Sequence, residues 1–197
     1  MGEIGRRLVH AAGVLFPALY VVELFSWDAL RVLLVGGSIV AILLEVLRLR
    51  AGLDWWIYRK LTRPYEQTSV AGYALYMFSI TAVALVFNPA VAIPAMLMLM
   101  LGDPVSGYLG SGEPRRIKRP RALAAMFVVS LVVIMPFALV VLPNWMWALL
   151  AGVLAAVPAT LADGVTVRIR GRIVDDNLSI PVVGAVALWI AYAILPI

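Results

Sequence analysis

The chain has 197 residues, of which 63% are hydrophobic and 14% charged, and it carries a formal net charge of +5. A mean hydropathy of +0.99 is more than a soluble core requires, and the length accommodates one compact unit without a second domain. Cysteine is absent, which excludes a disulfide framework, a thiol nucleophile and a thiolate metal site; in so apolar a chain the basic excess belongs to membrane topology and anionic lipid, and no nucleic-acid partner is expected.

A helix needs about 20 apolar residues to cross the hydrocarbon core. Stretches of that kind lie at 8–25, 29–47, 69–87, 89–108, 122–142, 145–162 and 179–196, and none has the alternation of a barrel strand. The sequence therefore predicts an all-α, polytopic integral membrane protein of about seven transmembrane helices, a single domain over 1–197. Arg6 and Arg7 precede the first stretch, but no small-residue cleavage site follows, so a cleaved secretory signal is not expected. Asn88-Pro89 and Leu142-Pro143-Asn144 read as tight turns between antiparallel neighbours. The connections 48–68, 109–121 and 163–178 are longer and polar. Within the first, the segment 53–66 mixes aromatics with cations and reads as a short interfacial helix in the headgroup layer.

Charge then sets the direction. Arg6 and Arg7 lie before the first helix. Arg48, Arg50, Arg59, Lys60 and Arg63 lie in the second polar region, Arg115, Arg116, Lys118, Arg119 and Arg121 in the third, and Arg168, Arg170 and Arg172 in the fourth. With seven helices all of these share one side, leaving Arg31 alone on the other. Positive charge stays cytoplasmic, so the expected N-terminus is inside, the C-terminus outside, and the location a cell membrane crossed several times.

Ionisable residues at membrane depth are costly and commonly functional. In chain order, Arg7 and His10 are three apart on one helical face, and His10 is the only histidine. The pair suits phosphate binding or proton handling. Glu45 and Arg48 likewise share a face, where an interfacial ion pair is the simpler reading. Asp103 follows a long apolar run and is set among Gly102, Pro104, Gly107 and Gly110, so chain there can approach a ligand closely. A carboxylate in that place suits Mg²⁺, a cation that takes oxygen ligands and keeps phosphates in its shell. The basic run from Arg115 to Arg121 would draw a polyphosphate, Lys118 and Arg121 being nearest the next helix. Asp163 closes the sixth helix. Asp175, Asp176 and Asn177 open the seventh, and three oxygen-bearing side chains exceed what one helix cap needs. There is no Walker A motif, no GxSxG elbow and no HExxH, and one histidine cannot build a multi-histidine metal site. What remains is carboxylate–Mg²⁺ and cation–phosphate chemistry, hence phosphoryl or nucleotidyl transfer.

These residues in this order resemble the polyprenol kinase family, which comprises dolichol kinases, phytol kinases and CTP-dependent diacylglycerol kinases and is related to the CDP-lipid synthases. The resemblance covers nearly the whole chain. It rests on the basic pair and histidine of helix 1 (Arg6, Arg7, His10), Glu-x-x-Arg closing helix 2 (Glu45, Arg48) and Gly-Asp-Pro with the small residues after it (Gly102, Asp103, Pro104, Ser106, Gly107, Gly110). Further on come Lys118, the acid closing helix 6 (Asp163), and Asp-Asp-Asn-Leu-x-Ile-Pro (Asp175, Asp176, Asn177, Leu178, Ile180, Pro181). The chain departs from the family where Lys118 is followed by Arg119-Pro120-Arg121 and where the helix 6 acid is aspartate rather than glutamate.

The resemblance implies a kinase that transfers phosphate from CTP to the hydroxyl of a membrane lipid alcohol, with Mg²⁺, at the cytoplasmic face. On that reading Asp103, Asp175 and Asp176 hold the metal, and Arg7, Arg48, Lys118, Arg121 and Asn177 bind nucleotide or phosphate. His10, Glu45, Asp103 and Asp163 form the catalytic set. Small-residue faces at Gly36-Gly37-Ser38, Gly72 and Gly152 would let helices pack closely around the acceptor. A CTP:lipid-phosphate cytidylyltransferase needs the same groups. A small transporter is disfavoured because the ionisable groups leave the membrane midplane nearly empty, and a scaffold would not need acids at one depth. The sequence leaves the acceptor lipid and the state of self-association open.

Overall fold

The computed structural model describes residues 3–53, 55, 58, 62, 66–110, 117–169 and 172–196. Among the described residues the fold is helical apart from one hairpin of two-residue strands. In chain order the elements are α1 (Glu3–Ala12), α2 (Leu15–Val21), α3 (Trp27–Arg50), α4 (Gly72–Val86), α5 (Pro89–Gly110), α6 (Pro120–Val141), α7 (Trp145–Gly164), the antiparallel strands β1 (Arg168–Ile169) and β2 (Arg172–Ile173), and α8 (Asp176–Ile194). Five of them, α3, α5, α6, α7 and α8, are long and apolar enough to cross a bilayer, while Gly72–Val86 and the stretch Arg7–Val21 are apolar but shorter. This is the architecture of a multi-pass membrane protein.

Local chemistry sets the boundaries. Ser26 caps α3 by accepting from Ala29 N at 3.2 Å. Asn88 caps α5 through Val91 N, with Pro89 in its first turn, where a missing N–H costs nothing. Asn144 caps α7 through Met146 N and Trp147 N, both at 3.1 Å. Both tight turns expected from the sequence are therefore helix caps.

Two helices depart from the continuous spans expected. The first stretch, expected as one helix over 8–25, breaks between α1 and α2. Pro17 has no N–H to give the carbonyl of Gly13 and its ring crowds that carbonyl, so the ladder cannot run through. A Cβ at Gly13 would moreover fall on the Tyr76 hydroxyl. The fourth stretch, expected as one helix over 89–108, keeps nearly that extent but is not uniform. It passes through a π-helical turn at Met98–Gly102 and continues as α-helix over Asp103–Gly110. Pro104 cannot donate to the carbonyl four residues back, and the widened turn absorbs the mismatch.

Helix α5 is the most enclosed of the five. It packs against α4, α6 and α8, with α1 and α2 also touching it; α7 lies between α6 and α8, and α3 packs on α4 at the edge. Small residues permit the close crossings. The face Ala148, Ala151, Gly152, Ala155, Ala156 and Ala159 of α7 is buried, and a Cβ on Gly152 would lie 2.6 Å from Leu131 Cδ1 on α6. Gly37 is tight against Met77, with a virtual Cβ 2.5 Å from its Cε, whereas a Cβ at Gly36 would meet nothing within 4 Å, so Gly36 is not a packing residue. Large apolar side chains such as Val32, Leu85, Val140 and Ile194 point outward, as lipid-facing residues do. Of the 53–66 segment only Leu53, Trp55, Tyr58, Thr62 and Glu66 are described; the expected interfacial helix therefore lies largely outside the described residues, as do Glu113, Arg115 and Arg116 and the side chain of Arg6.

Candidate active site

The breaks and caps bring one end of α1, α5, α7 and α8 together. Oxygen atoms of Asp103 on α5, Asp163 on α7 and Asp176 on α8 all lie within 4.8 Å of one another. Lys118, from the segment before α6, donates to Asp163 Oδ1 at 2.7 Å and stands 3.7 Å from Asp103 Oδ1. Ser106, one turn after Asp103, donates to the other Asp163 oxygen at 2.6 Å. His10 Nδ1 lies 3.5 Å from Asp103 Oδ2. The Asp163 side chain is wholly buried; those of His10, Asp103 and Lys118 keep 14%, 16% and 26% of their exposure, so the cluster opens to one side.

Each side chain is positioned by backbone. Lys118 N donates to Gly164 O at 2.9 Å and Ile117 bridges Val165, which lays the lysine segment alongside the end of α7 next to Asp163. Burial alone would lower the Lys118 pKa, but the carboxylates of Asp103, Asp163 and Asp176 outweigh it and hold the amine above its usual value, so it is an ammonium. Tyr76 donates to the His10 carbonyl at 3.2 Å and its ring lies tilted 4.9 Å from the imidazole, tying the end of α1 to α4. The Arg7 guanidinium lies against Gly107, where a Cβ would meet Nε at 3.2 Å. Arg121 Nε donates to Leu109 O at 2.7 Å and so satisfies an unpaired carbonyl at the end of α5.

The donor set fits a hard divalent cation. It offers three carboxylates, no sulfur and no imidazole cage, in a half-enclosed recess. The membership differs from the sequence expectation: Asp163 takes the place given to Asp175. Asp175 is the N-cap of α8, its Oδ1 accepting from Asn177 N at 3.0 Å and Asn177 Nδ2 at 2.7 Å.

Glu45 and Arg48 belong to a separate knot. Glu45 accepts from Arg48 Nε and Nη2 at 2.9 and 2.7 Å, from Ala71 N at 3.1 Å and from the Tyr73 hydroxyl. Arg48 also donates to Glu66 O at 3.0 Å and Ser69 O at 2.6 Å. With every oxygen and nearly every N–H engaged, Glu45 has no lone pair for a reacting proton and Arg48 no fork for a phosphate. The pair clamps the chain before α4 onto α3. Asn177 is buried at the start of α8, where its amide nitrogen donates to Asp175 and its backbone carbonyl accepts from Ser79 on α4 at 2.6 Å.

Sequence reasoning did not single out Tyr73, Tyr76 or Ser79 for these contacts. The available signal is their spacing. Tyr73, Tyr76 and Ser79 place hydroxyls every third residue along a mostly apolar α4, and each reaches a different helix end.

No protein-family model, no curated protein and no solved structure matches the chain.

Proposed function

We propose that this protein is a Mg²⁺-dependent lipid-alcohol kinase, with CTP as donor and its active site at the cytoplasmic membrane face. The observation that carries the reading is the convergence of Asp103, Asp163 and Asp176 with Lys118 and His10 at one end of an apolar bundle. Groups of this kind bind a metal-bound polyphosphate, and their place at a helix end meets an acceptor headgroup held in the bilayer.

Asp103, Asp163 and Asp176 would hold the metal, which when bound supplies charge neutralisation for the phosphates. Lys118, Arg7 and Arg121 neutralise the rest of the triphosphate. His10 turns Nδ1 toward Asp103, so Nε2 is the nitrogen to receive the proton of the lipid hydroxyl. The hydroxyl oxygen forms the new bond to the γ-phosphorus, the bond to the bridging oxygen breaks, and CDP leaves. The finer topology belongs to the same proposal. Counting Arg7–Val21 and Gly72–Val86 as short spans beside the five long helices gives seven crossings, with the N-terminus inside and the basic segments cytoplasmic.

The test uses purified protein in lipid nanodiscs with Mg²⁺ and a panel of isoprenoid alcohols, diradylglycerols and lipid phosphates. CTP is labelled at the γ- or the α-phosphate, with ATP as control. Label from the γ position in extractable lipid is the expected result and identifies the acceptor. Label from the α position would make the protein a cytidylyltransferase, and no lipid label from folded protein would remove the reading.

A further inference from the structure

We propose that Lys118 and the divalent cation compete for the same carboxylate oxygens, so that metal binding drives the lysine ammonium off Asp163 and toward the nucleotide phosphates. The inference rests on the phosphoryl-transfer reading and adds a loading order to it: metal alone binds weakly, and metal with polyphosphate binds well.

The geometry argues for exchange over coexistence. The ammonium sits 2.7 Å from Asp163 Oδ1 and 3.7 Å from Asp103 Oδ1, two of the residues that form the candidate cation site. A metal ion taking those oxygens at about 2.1 Å would face the ammonium across one shared atom in a recess of low dielectric. The repulsion favours removal of one cation. The backbone cannot retreat, because Lys118 N is bonded to Gly164 O and Ile117 is bridged to Val165. The side chain can, since it is four flexible carbons with a point charge at the tip and is partly exposed. Asp163 meanwhile keeps its orientation through Ser106, which holds the oxygen the lysine does not use. A polyphosphate arriving with the metal gives the released ammonium a new partner.

Two measurements test this in nanodisc-held protein. The first is the affinity for free Mn²⁺ by electron paramagnetic resonance, in the wild type, Lys118→Gln, Arg119→Met and Asp103→Asn. Glutamine can still donate to Asp163 but brings no charge. Lys118→Gln should bind Mn²⁺ at least about ten-fold more tightly than wild type, while Arg119→Met, which removes a nearby cation outside the cluster, should stay within about two-fold. Asp103→Asn should lose binding. The second uses the wild type alone, so it does not depend on a variant folding. Lys60 and Lys118 are the only lysines, and acylation of Lys118 by an amine-reactive ester, measured against Lys60 by mass spectrometry, should rise several-fold at saturating Mn²⁺. A Lys118→Gln affinity no tighter than that of Arg119→Met, or Lys118 acylation indifferent to Mn²⁺, would overturn the exchange and leave the metal site and the kinase reading standing. If neither the wild type nor Lys118→Gln binds Mn²⁺, the metal site falls and takes the exchange with it.

Discussion

Replacing Glu45 by alanine separates a structural carboxylate from a reacting one. The Glu45 and Arg48 side chains are 7% and 8% exposed, and breaking a buried pair by removing one partner costs about 3–5 kcal/mol. Arg48 would keep the carbonyls of Glu66 and Ser69 as acceptors, which reduces the loss, while Ala71 N and the Tyr73 hydroxyl lose theirs. The balance is a destabilisation of about 3 kcal/mol, or about 6–12 °C in melting temperature for a chain of this size. Thermal unfolding in detergent, followed by tryptophan fluorescence, measures it. Lipid phosphorylation per folded molecule, assayed well below the melting point, should fall by less than about three-fold, because the hydrogen bonds of Glu45 run to Arg48, Ala71 and Tyr73 and not to the carboxylate cluster. A variant that melts with the wild type yet has lost transfer would refute this account and return Glu45 to the chemistry.

Asp175→Ala should cost about 1 kcal/mol, the worth of an N-cap, with transfer and Mn²⁺ binding retained, whereas Asp103→Asn should abolish transfer while its melting temperature stays within a few degrees; parallel melts and γ-label assays distinguish the two. Gly13→Ala places a methyl on the Tyr76 hydroxyl and should lower transfer by about ten-fold through displacement of His10, and adding Tyr76→Phe, which removes the clashing oxygen, should restore part of it; additive losses in this double-mutant cycle would count against that contact. Alkaline phosphatase fused after the C-terminus should be active and a fusion in the 109–121 segment inactive, since the three crossings α6, α7 and α8 put the C-terminus opposite that basic segment; activity at both places would rule out the seven-pass topology.

The apolar runs made the helices legible, since in hydrocarbon a backbone can satisfy its own polar groups only by closing them within the segment. Asn88, Asn144 and Pro89 announced helix ends because capping is local chemistry, readable within three residues. The polar ends that carry the site were visible for the same reason, as charges that stop each run. The sequence could not say which lone pairs remain free. Asp175 and Asp163 are both aspartates at helix ends, and one became a cap because Asn177 is two residues away, the other a cluster member because Lys118, 45 residues away, reaches it. Glu45 was saturated by Tyr73 and Ala71, which only the packing of α4 on α3 brings to it. The π-turn before Asp103 and the break at Gly13 depend on Pro104 and Pro17 meeting neighbours that must accommodate them. Composition and local pattern thus determined the membrane, the helices and the end of the bundle where chemistry gathers. The tertiary structure decided which acids lie together, because that follows from donors brought in from distant parts of the chain.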